Sequence, residues 1–410
     1  MNSSLSFVFK GYDSDLEKGE VLFHFSFSGE KNVDFTEKLS FLPVQNIIPQ
    51  TLLNVLMQNL MLILGISYWK LYCPKEIVIE SNFLTKNQAE FWNTVYTKGL
   101  GEFFYKNNID LRGLIKFPYT NKASTSIVSF PRKNRALLGL GGGKDSIVAA
   151  ELLKVQNKDF DLFTVGTAKI QEEVALAIGK EPIVITRKLD PKLFALNKEK
   201  QVYNGHIPIS AIYAFLGLIA SVFYDYNQVV VGNEKSANYG NVEYLGEVIN
   251  HQWSKSEEFE KLFQEYIQNF ITSSASYSSS LRGLNELEVT KEFVKYPKYF
   301  KVFSSCNRNF KILRLAQDNK SRWCGKCAKC LFVFLCLAAF LPRKEVLDIF
   351  GKNLLEDRNL LSLFEELVGI KNFKPFECVG TPEEMKLALA KIFKKGKFND
   401  TILIKHFKSL

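Results

Sequence analysis

The segment Leu137-Leu138-Gly139-Leu140-Gly141-Gly142-Gly143-Lys144-Asp145-Ser146 constrains this chain more than any other, because it joins an apolar strand to a glycine loop and a helix start. Arg135 to Leu140 reads as a short buried strand, and Ile147, Val148, Leu152 and Leu153 recur at helical spacing beyond it. Three consecutive glycines let the backbone approach a ligand closely and adopt angles closed to other residues. The helix start behind them offers unpaired N–H groups and about half a unit of positive charge, which favours a bound anion. Lys144 can add a point charge and Ser146 a hydroxyl. A tight turn in any α/β protein would use the same glycines, so the run alone does not decide.

The order glycine, glycine, any residue, aspartate, serine is more specific. It resembles the PP-loop of ATP pyrophosphatases, enzymes that cleave ATP to AMP and pyrophosphate while adenylating a substrate. The spacing matches neither a Walker A loop nor the dinucleotide fingerprint. Gly141 stands where such loops usually begin with serine, which removes one hydroxyl contact and leaves the amide cradle. The resemblance implies ATP and Mg²⁺ as cofactors, with Gly141, Gly142 and Gly143 holding phosphate through their amides, Lys144 and Ser146 contacting it, and Asp145 helping to place the metal.

At 410 residues, with 46% hydrophobic and 23% charged residues, the chain is long enough for two or three domains with real cores. The predicted class is α/β, with an open parallel-sheet PP-loop core of the adenine-nucleotide α-hydrolase kind. Residues 1–130 read as an α+β N-terminal domain, with strands at Val21 to Phe27 and Glu76 to Glu80 and amphipathic helices near Thr51 to Leu64 and Ala89 to Phe104. The polar stretch Tyr119 to Ser126 marks the boundary. Residues 131–340 alternate strands (Leu162 to Val165, Pro182 to Thr186, Gln228 to Val231) with helical patterns, as in a parallel sheet covered on both faces. Residues 341–410 read as mostly helical, with Thr381-Pro382-Glu383-Glu384 supplying an N-cap and a capping box. Ser273 to Ser280 reads as a mobile loop and the lysines from Lys386 to Lys397 as a solvated helix end. The start, Met1 to Lys10, lacks the pattern of a secretory signal. The apolar runs Ile207 to Tyr224 and Leu331 to Leu341 read as buried helices, so no membrane partner is expected and the predicted location is cytoplasmic. The net charge of +10 suits RNA, an anionic membrane or a polyanionic small substrate, and does not choose between them. RNA binding would call for a dense basic surface interleaved with aromatics, which only Lys386 to Lys397 approaches, so nucleic acid is not an expected partner.

Cysteine spacing supplies a second constellation. Cys324-Gly325-Lys326-Cys327-Ala328-Lys329-Cys330 follows Cys306, so four of the seven cysteines fall in one short interval. Three thiolates at CxxCxxC spacing with a fourth from a nearby loop suit a closed structural zinc site, and thiolate ligation also admits an iron–sulfur cluster. Clustered free thiols in a core would be the plain alternative, but Arg322, Lys326 and Lys329 read as too polar for burial.

Further polar segments complete the pattern: Asn204-Gly205-His206-Ile207-Pro208, Gly232-Asn233-Glu234-Lys235-Ser236-Ala237-Asn238, and Asn250-His251-Gln252-Trp253-Ser254-Lys255-Ser256. Together with Tyr96 to Phe103, Leu140 to Ser146, Ser305 to Phe310, Arg322 to Cys330 and Lys374-Pro375-Phe376-Glu377-Cys378-Val379-Gly380, they resemble the UDP-N-acetyl-α-D-muramoyl-L-alanyl-L-glutamate epimerases, the MurL family. The resemblance spans nearly the whole chain. It implies an ATP- and Mg²⁺-dependent isomerase of peptidoglycan precursor synthesis that takes a UDP-MurNAc-dipeptide and inverts its terminal L-glutamate, releasing AMP and pyrophosphate. Inversion needs a base and an acid. His251 and Cys378 lead the candidates, with His206 and Glu234 also admissible, and a capping or core histidine or a buried structural cysteine is the plain alternative. Two rivals stay open: a PP-loop ligase modifying a nucleobase or tRNA, and a nucleotide-binding sensor without chemistry.

Overall fold

The computed structural model describes residues 5–80, 83–121, 127–306, 308, 322–371 and 373–409. Part of the predicted boundary stretch, 122–126, and Asn307, Asn309 and Phe310 of the family-like segment fall outside them. Eleven strands are described: β1 (Ser6–Asp15), β2 (Glu20–Ser28), β3 (Val33–Ser40), β4 (Glu76–Ile79), β5 (Ala136–Gly139), β6 (Phe160–Val165), β7 (Pro182–Lys188), β8 (Gln228–Val231), β9 (Val242–Tyr244), β10 (Glu247–Ile249) and β11 (Ser276–Ser279). Nine of them form one sheet in the order β11-β8-β5-β6-β7-β3-β2-β1-β4, while β9 and β10 make a separate hairpin.

The sheet is mixed. The five strands from β11 to β7 run parallel, as expected of a doubly wound core. From β7 the sheet continues antiparallel through β3, β2 and β1, with β4 parallel to β1 at the edge. Hydrogen bonding therefore passes without a break across residue 130. At the junction Leu39 pairs with Arg187, whose guanidinium binds the buried carboxylate of Glu37 at 2.6 Å and the Ser67 hydroxyl at 2.8 Å. Removing either partner of such a buried pair leaves an uncompensated charge, at about 3–5 kcal/mol.

Side-chain alternation sends apolar residues into two cores. On one face Leu137, Phe163 and Val165 pack with helices α1 (Gln50–Trp69), α2 (Lys86–Gly99), α3 (Gly101–Lys106), α7 (Ile209–Phe223) and α8 (Glu257–Phe270). On the other, Leu138, Leu140 and Leu162 pack with α4 (Lys144–Val155), α5 (Lys169–Ile178), α9 (Glu286–Phe293) and the C-terminal helices, including Ala328–Phe340 and Pro382–Lys395. The short helix α6 (Pro191–Leu196) follows β7 and is capped by Asp190.

Several sequence readings meet corrections here. The helix around Thr51 to Leu64 is not amphipathic: α1 is buried on nearly every side, and Gly65 is the close-contact point, where a Cβ would lie 2.3 Å from the Phe9 ring. Among the described residues α1 is the one helix long and apolar enough to cross a membrane, and most of it is buried inside the protein. The helix read over Ala89 to Phe104 is two, broken after Gly99, where Pro208 leaves no room for a Cβ. Ser273 to Ser280 is not a loop. Four of its eight residues, Ser276–Ser279, form the parallel edge strand β11, paired with β8 from Ser276–Gln228 to Ser279–Val231. The apolar runs after Ile207 and Leu331 are buried helices as read, and the capping box at Thr381 and Glu384 is formed.

Candidate active site

The glycine loop lies between β5 and α4, whose N-cap, Gly143, carries no side-chain hydrogen bond, so the first-turn N–H groups keep the anion-binding character of an uncapped helix. Gly142 takes φ +83°, and a Cβ there would come within 2.7 Å of Ile170; one on Gly143 would come within 2.7 Å of the Ser305 hydroxyl. Gly141 has open space around it, so packing does not demand its departure from serine. Gly232, beyond β8, lets the next strand end close on the same turn, since a Cβ there would lie 2.8 Å from the Asp145 carbonyl oxygen.

Two residues of the loop are engaged internally. The Lys144 ammonium is fully buried and binds the carboxylates of Asp145 and Glu286. The Ser146 hydroxyl donates to the Gly143 carbonyl at 3.1 Å. Lys144 thus organises carboxylates rather than lying open on the loop. Asp145, Glu234 and Glu286 bring carboxylate oxygens within 4.8 Å of one another, at the carboxyl ends of β5 and β8 and the start of α9. Lys329 also reaches Glu286, at 3.6 Å, and is itself buried, contrary to the reading that lysines keep this segment exposed. Glu234 is buried, and among the described residues its Oε1 has no hydrogen-bond partner. Burial and the neighbouring Glu286 and Asp145 raise its carboxyl to about 7.

Joined to this cluster by Lys255 and Lys329, which act on both Asp145 and Cys378, are His206, His251 and Cys378, three of the four proton-transfer candidates, with Glu102, a residue to which sequence reasoning gave no role. His251 Nδ1 binds Glu102 Oε2 at 2.5 Å, and His206 Nδ1 lies 3.4 Å from the same oxygen. The two imidazole rings are 4.5 Å apart. His251 is also hydrogen-bonded to Cys378, and the Lys255 ammonium donates to the Cys378 sulfur at 3.5 Å. Burial would push the Cys378 thiol up, but Lys255 and His251 outweigh it and bring the thiol down to about 5. Burial would likewise discharge His251, but Cys378 and Glu102 raise it to about 9. For His206 burial and the adjacent His251 outweigh Glu102 and lower it to about 4.

Backbone ties set this geometry. The Asn241 side chain accepts from the His251 N–H at 2.8 Å and donates to the Pro375 carbonyl at 2.8 Å, and Gln252 donates to the Val379 carbonyl at 3.1 Å. The hairpin segment and the Cys378 segment are thereby held in fixed register. Glu384 anchors the C-terminal region to the same cleft by accepting from the Glu286 N–H at 2.7 Å and the Ser236 hydroxyl at 2.8 Å. Lys374 is buried with only the Tyr239 carbonyl, at 3.4 Å, as a hydrogen-bond partner among the described residues, and burial lowers it to about 8.

The four cysteines come together as read. Sulfurs of Cys306, Cys324, Cys327 and Cys330 all lie within 4.8 Å of one another, with Cys327–Cys330 at 3.5 Å and Cys324–Cys330 at 3.7 Å. The set can hold a metal ion. It pins the chain after Phe303 to the start of the helix Ala328–Phe340.

A family model described as the MurL N-terminal domain matches residues 1–280, and one described as the MurL C-terminal domain matches residues 302–410. Three relatives carry the name UDP-N-acetyl-alpha-D-muramoyl-L-alanyl-L-glutamate epimerase. The protein from Xanthomonas oryzae pv. oryzae is 39% identical over 352 residues, covering 86% of this chain and 77% of that one. The proteins from Micromonospora sp. and Salinispora tropica are 35% and 36% identical, covering 98% and 97% of this chain and 89% and 87% of their own.

Proposed function

The chain belongs to the MurL family of epimerases, and on that premise we propose that it inverts the terminal L-glutamate of UDP-MurNAc-L-Ala-L-Glu after ATP has activated the α-carboxylate. An α-proton beside a free carboxylate is very weakly acidic, because the carbanion would share its charge with an anionic group. Adenylation removes that obstacle. The carboxylate oxygen attacks the α-phosphorus, pyrophosphate leaves, and the acyl-adenylate can lose its α-proton to a side-chain base. Hydrolysis afterwards releases the product and AMP.

In this reading the parallel half of the sheet is a PP-loop core, and the amides of Gly141, Gly142 and Gly143 with the start of α4 bind phosphate. Asp145, Glu234 and Glu286 would hold Mg²⁺: they are hard oxygen donors, and the unpartnered Glu234 Oε1 suits a cation. When bound, the ion neutralises charge on the phosphates. Lys255, Lys329 and Lys374 supply cations for the carboxylates of the substrate.

One observation carries the reading: a hydrogen-bonded Cys378–His251 pair, placed as thiolate and imidazolium, in the cleft that also holds the uncapped glycine loop. Substrate entering the site would part the pair, and with the α-carbon seated between them the Cys378 sulfur takes the proton as the Cα–H bond breaks. The enolate then takes a proton from His251 on the opposite face, leaving a thiol and a neutral imidazole. Once product departs, the thiol passes its proton to the imidazole across their hydrogen bond and the ion pair is restored. Incubation with UDP-MurNAc-L-Ala-L-Glu, ATP and Mg²⁺ in D₂O should therefore place deuterium on the D-glutamyl α-carbon, while remaining L-substrate stays protonated. Exchange without ATP would remove this mechanism. AMP release with no α-deuterium would return the nucleobase-ligase reading to first place.

The four-cysteine set fits zinc, since Zn–S bonds of about 2.3 Å place tetrahedral sulfurs about 3.8 Å apart. We expect about one zinc per chain by elemental analysis, and Cys327→Ser to lower soluble yield more than substrate affinity. A visible iron charge-transfer band would contradict it.

A further inference from the structure

Charges around Cys378 alternate in sign along a chain of contacts: Glu102 to His251 at 2.5 Å, His251 to Cys378 by a hydrogen bond, and Cys378 to Lys255 at 3.5 Å. Each member is partly or wholly withdrawn from water, so each ion is tolerable only because an opposite charge touches it. Glu102 is the terminal anion. It stands at the start of α3, inside the family-like segment Tyr96 to Phe103, which gives it no role of its own. Its Oε2 faces both imidazoles, and the tighter contact is with His251, at 2.5 Å against 3.4 Å for His206. We propose that Glu102 is a positioning residue that keeps His251 protonated and Cys378 ionised, so that base and acid are both armed before substrate arrives.

The reasoning is electrostatic. Without an anion at Glu102, a buried imidazolium would depend on Cys378 alone, and proton transfer from His251 to sulfur would give two neutral groups that need no stabilisation. The remaining charged neighbours do not replace it. Lys255 and Lys329 favour the thiolate from the Cys378 side, Glu377 lies beside it in sequence, Lys374 approaches from the same segment, and Lys106 acts on Glu102 itself. Among them only Glu377 is an anion that also acts on His251, through space and as the smallest of its own interactions, whereas Glu102 touches the ring at 2.5 Å. This inference rests on the proposed role of Cys378, but its test does not require turnover.

The experiment is alkylation of the full-length protein by iodoacetamide from pH 4 to pH 10, with modification of Cys378 read from its peptide by mass spectrometry. Glu102→Gln should move the midpoint for Cys378 upward by about one unit or more, an approximately tenfold loss of reactivity at the acidic end. Glu102→Asp should recover most of that shift, because it restores the charge one methylene short. Folding is checked by circular dichroism, and if the glutamine variant does not fold, the aspartate variant still tests the idea with a smaller upward shift. An unchanged midpoint in either folded variant overturns the inference. If Cys378→Ala retained α-proton exchange, the proposed base would fall instead, with the alkylation shift still standing.

Discussion

Replacing Cys378 with alanine is expected to slow α-proton exchange and epimerisation by about 10³-fold while pyrophosphate is still released from ATP. The two steps separate because different parts of the cleft serve them. Cys378 touches His251 and Lys255, whereas in the proposed reading the phosphate side would be built from the loop and from Asp145, Glu234 and Glu286. The same pair fixes the pH dependence. Cys378 is lowered to about 5, so the thiolate is present above that value and lost as pH falls through it. His251 is raised to about 9, so the imidazolium is present below that value and lost as pH rises through it. The rate of exchange should be bell-shaped between these limbs, and Cys378→Ala should abolish the acidic limb. Alanine-variant exchange at the parental rate, measured by deuterium incorporation, would exclude the thiolate as base.

Asp145→Asn should cut AMP and pyrophosphate formation by about 10³-fold or more with little change in melting temperature. The substitution keeps volume and shape, and Lys144 retains Glu286 as a partner after losing Asp145. What disappears is one of three negative oxygens clustered at the start of α4, which would hold Mg²⁺ in the proposed reading. Pyrophosphate release at an undiminished rate, followed alongside thermal unfolding, would show that Asp145 serves the fold alone.

Legibility in the sequence followed the range of the interaction. The glycine loop and the CxxCxxC run are local patterns, and the structure assembles both as the residues suggest. Ser276–Ser279 escaped because serine has little strand preference; its pairing comes from β8, a strand forty-eight residues earlier, not from its own side chains. α1 looked one-sided over its first turns, yet sheet and helices close around it, a fact of tertiary packing that periodicity within the helix does not carry. Glu102 escaped most completely. Its partner His251 is 149 residues away, and an acidic residue in a first helical turn is ordinarily explained by the helix itself. Lys329 misled for a related reason: a lysine can be buried once a carboxylate such as Glu286 is waiting for it.

The sheet that runs across residue 130, and the cleft shared between the regions matched by the two family models, bear on how such a chain can change over generations. Glu102, His206 and His251 lie in the first region and Cys378 in the second, so neither carries the whole of the proposed proton couple. A recombination event that exchanged one region for that of a distant relative would have to preserve the Asn241 and Gln252 ties to the Cys378 segment, or lose the chemistry at once. The two regions are consequently bound to a common inheritance, and a gene split between them would yield a catalyst only where both products met again.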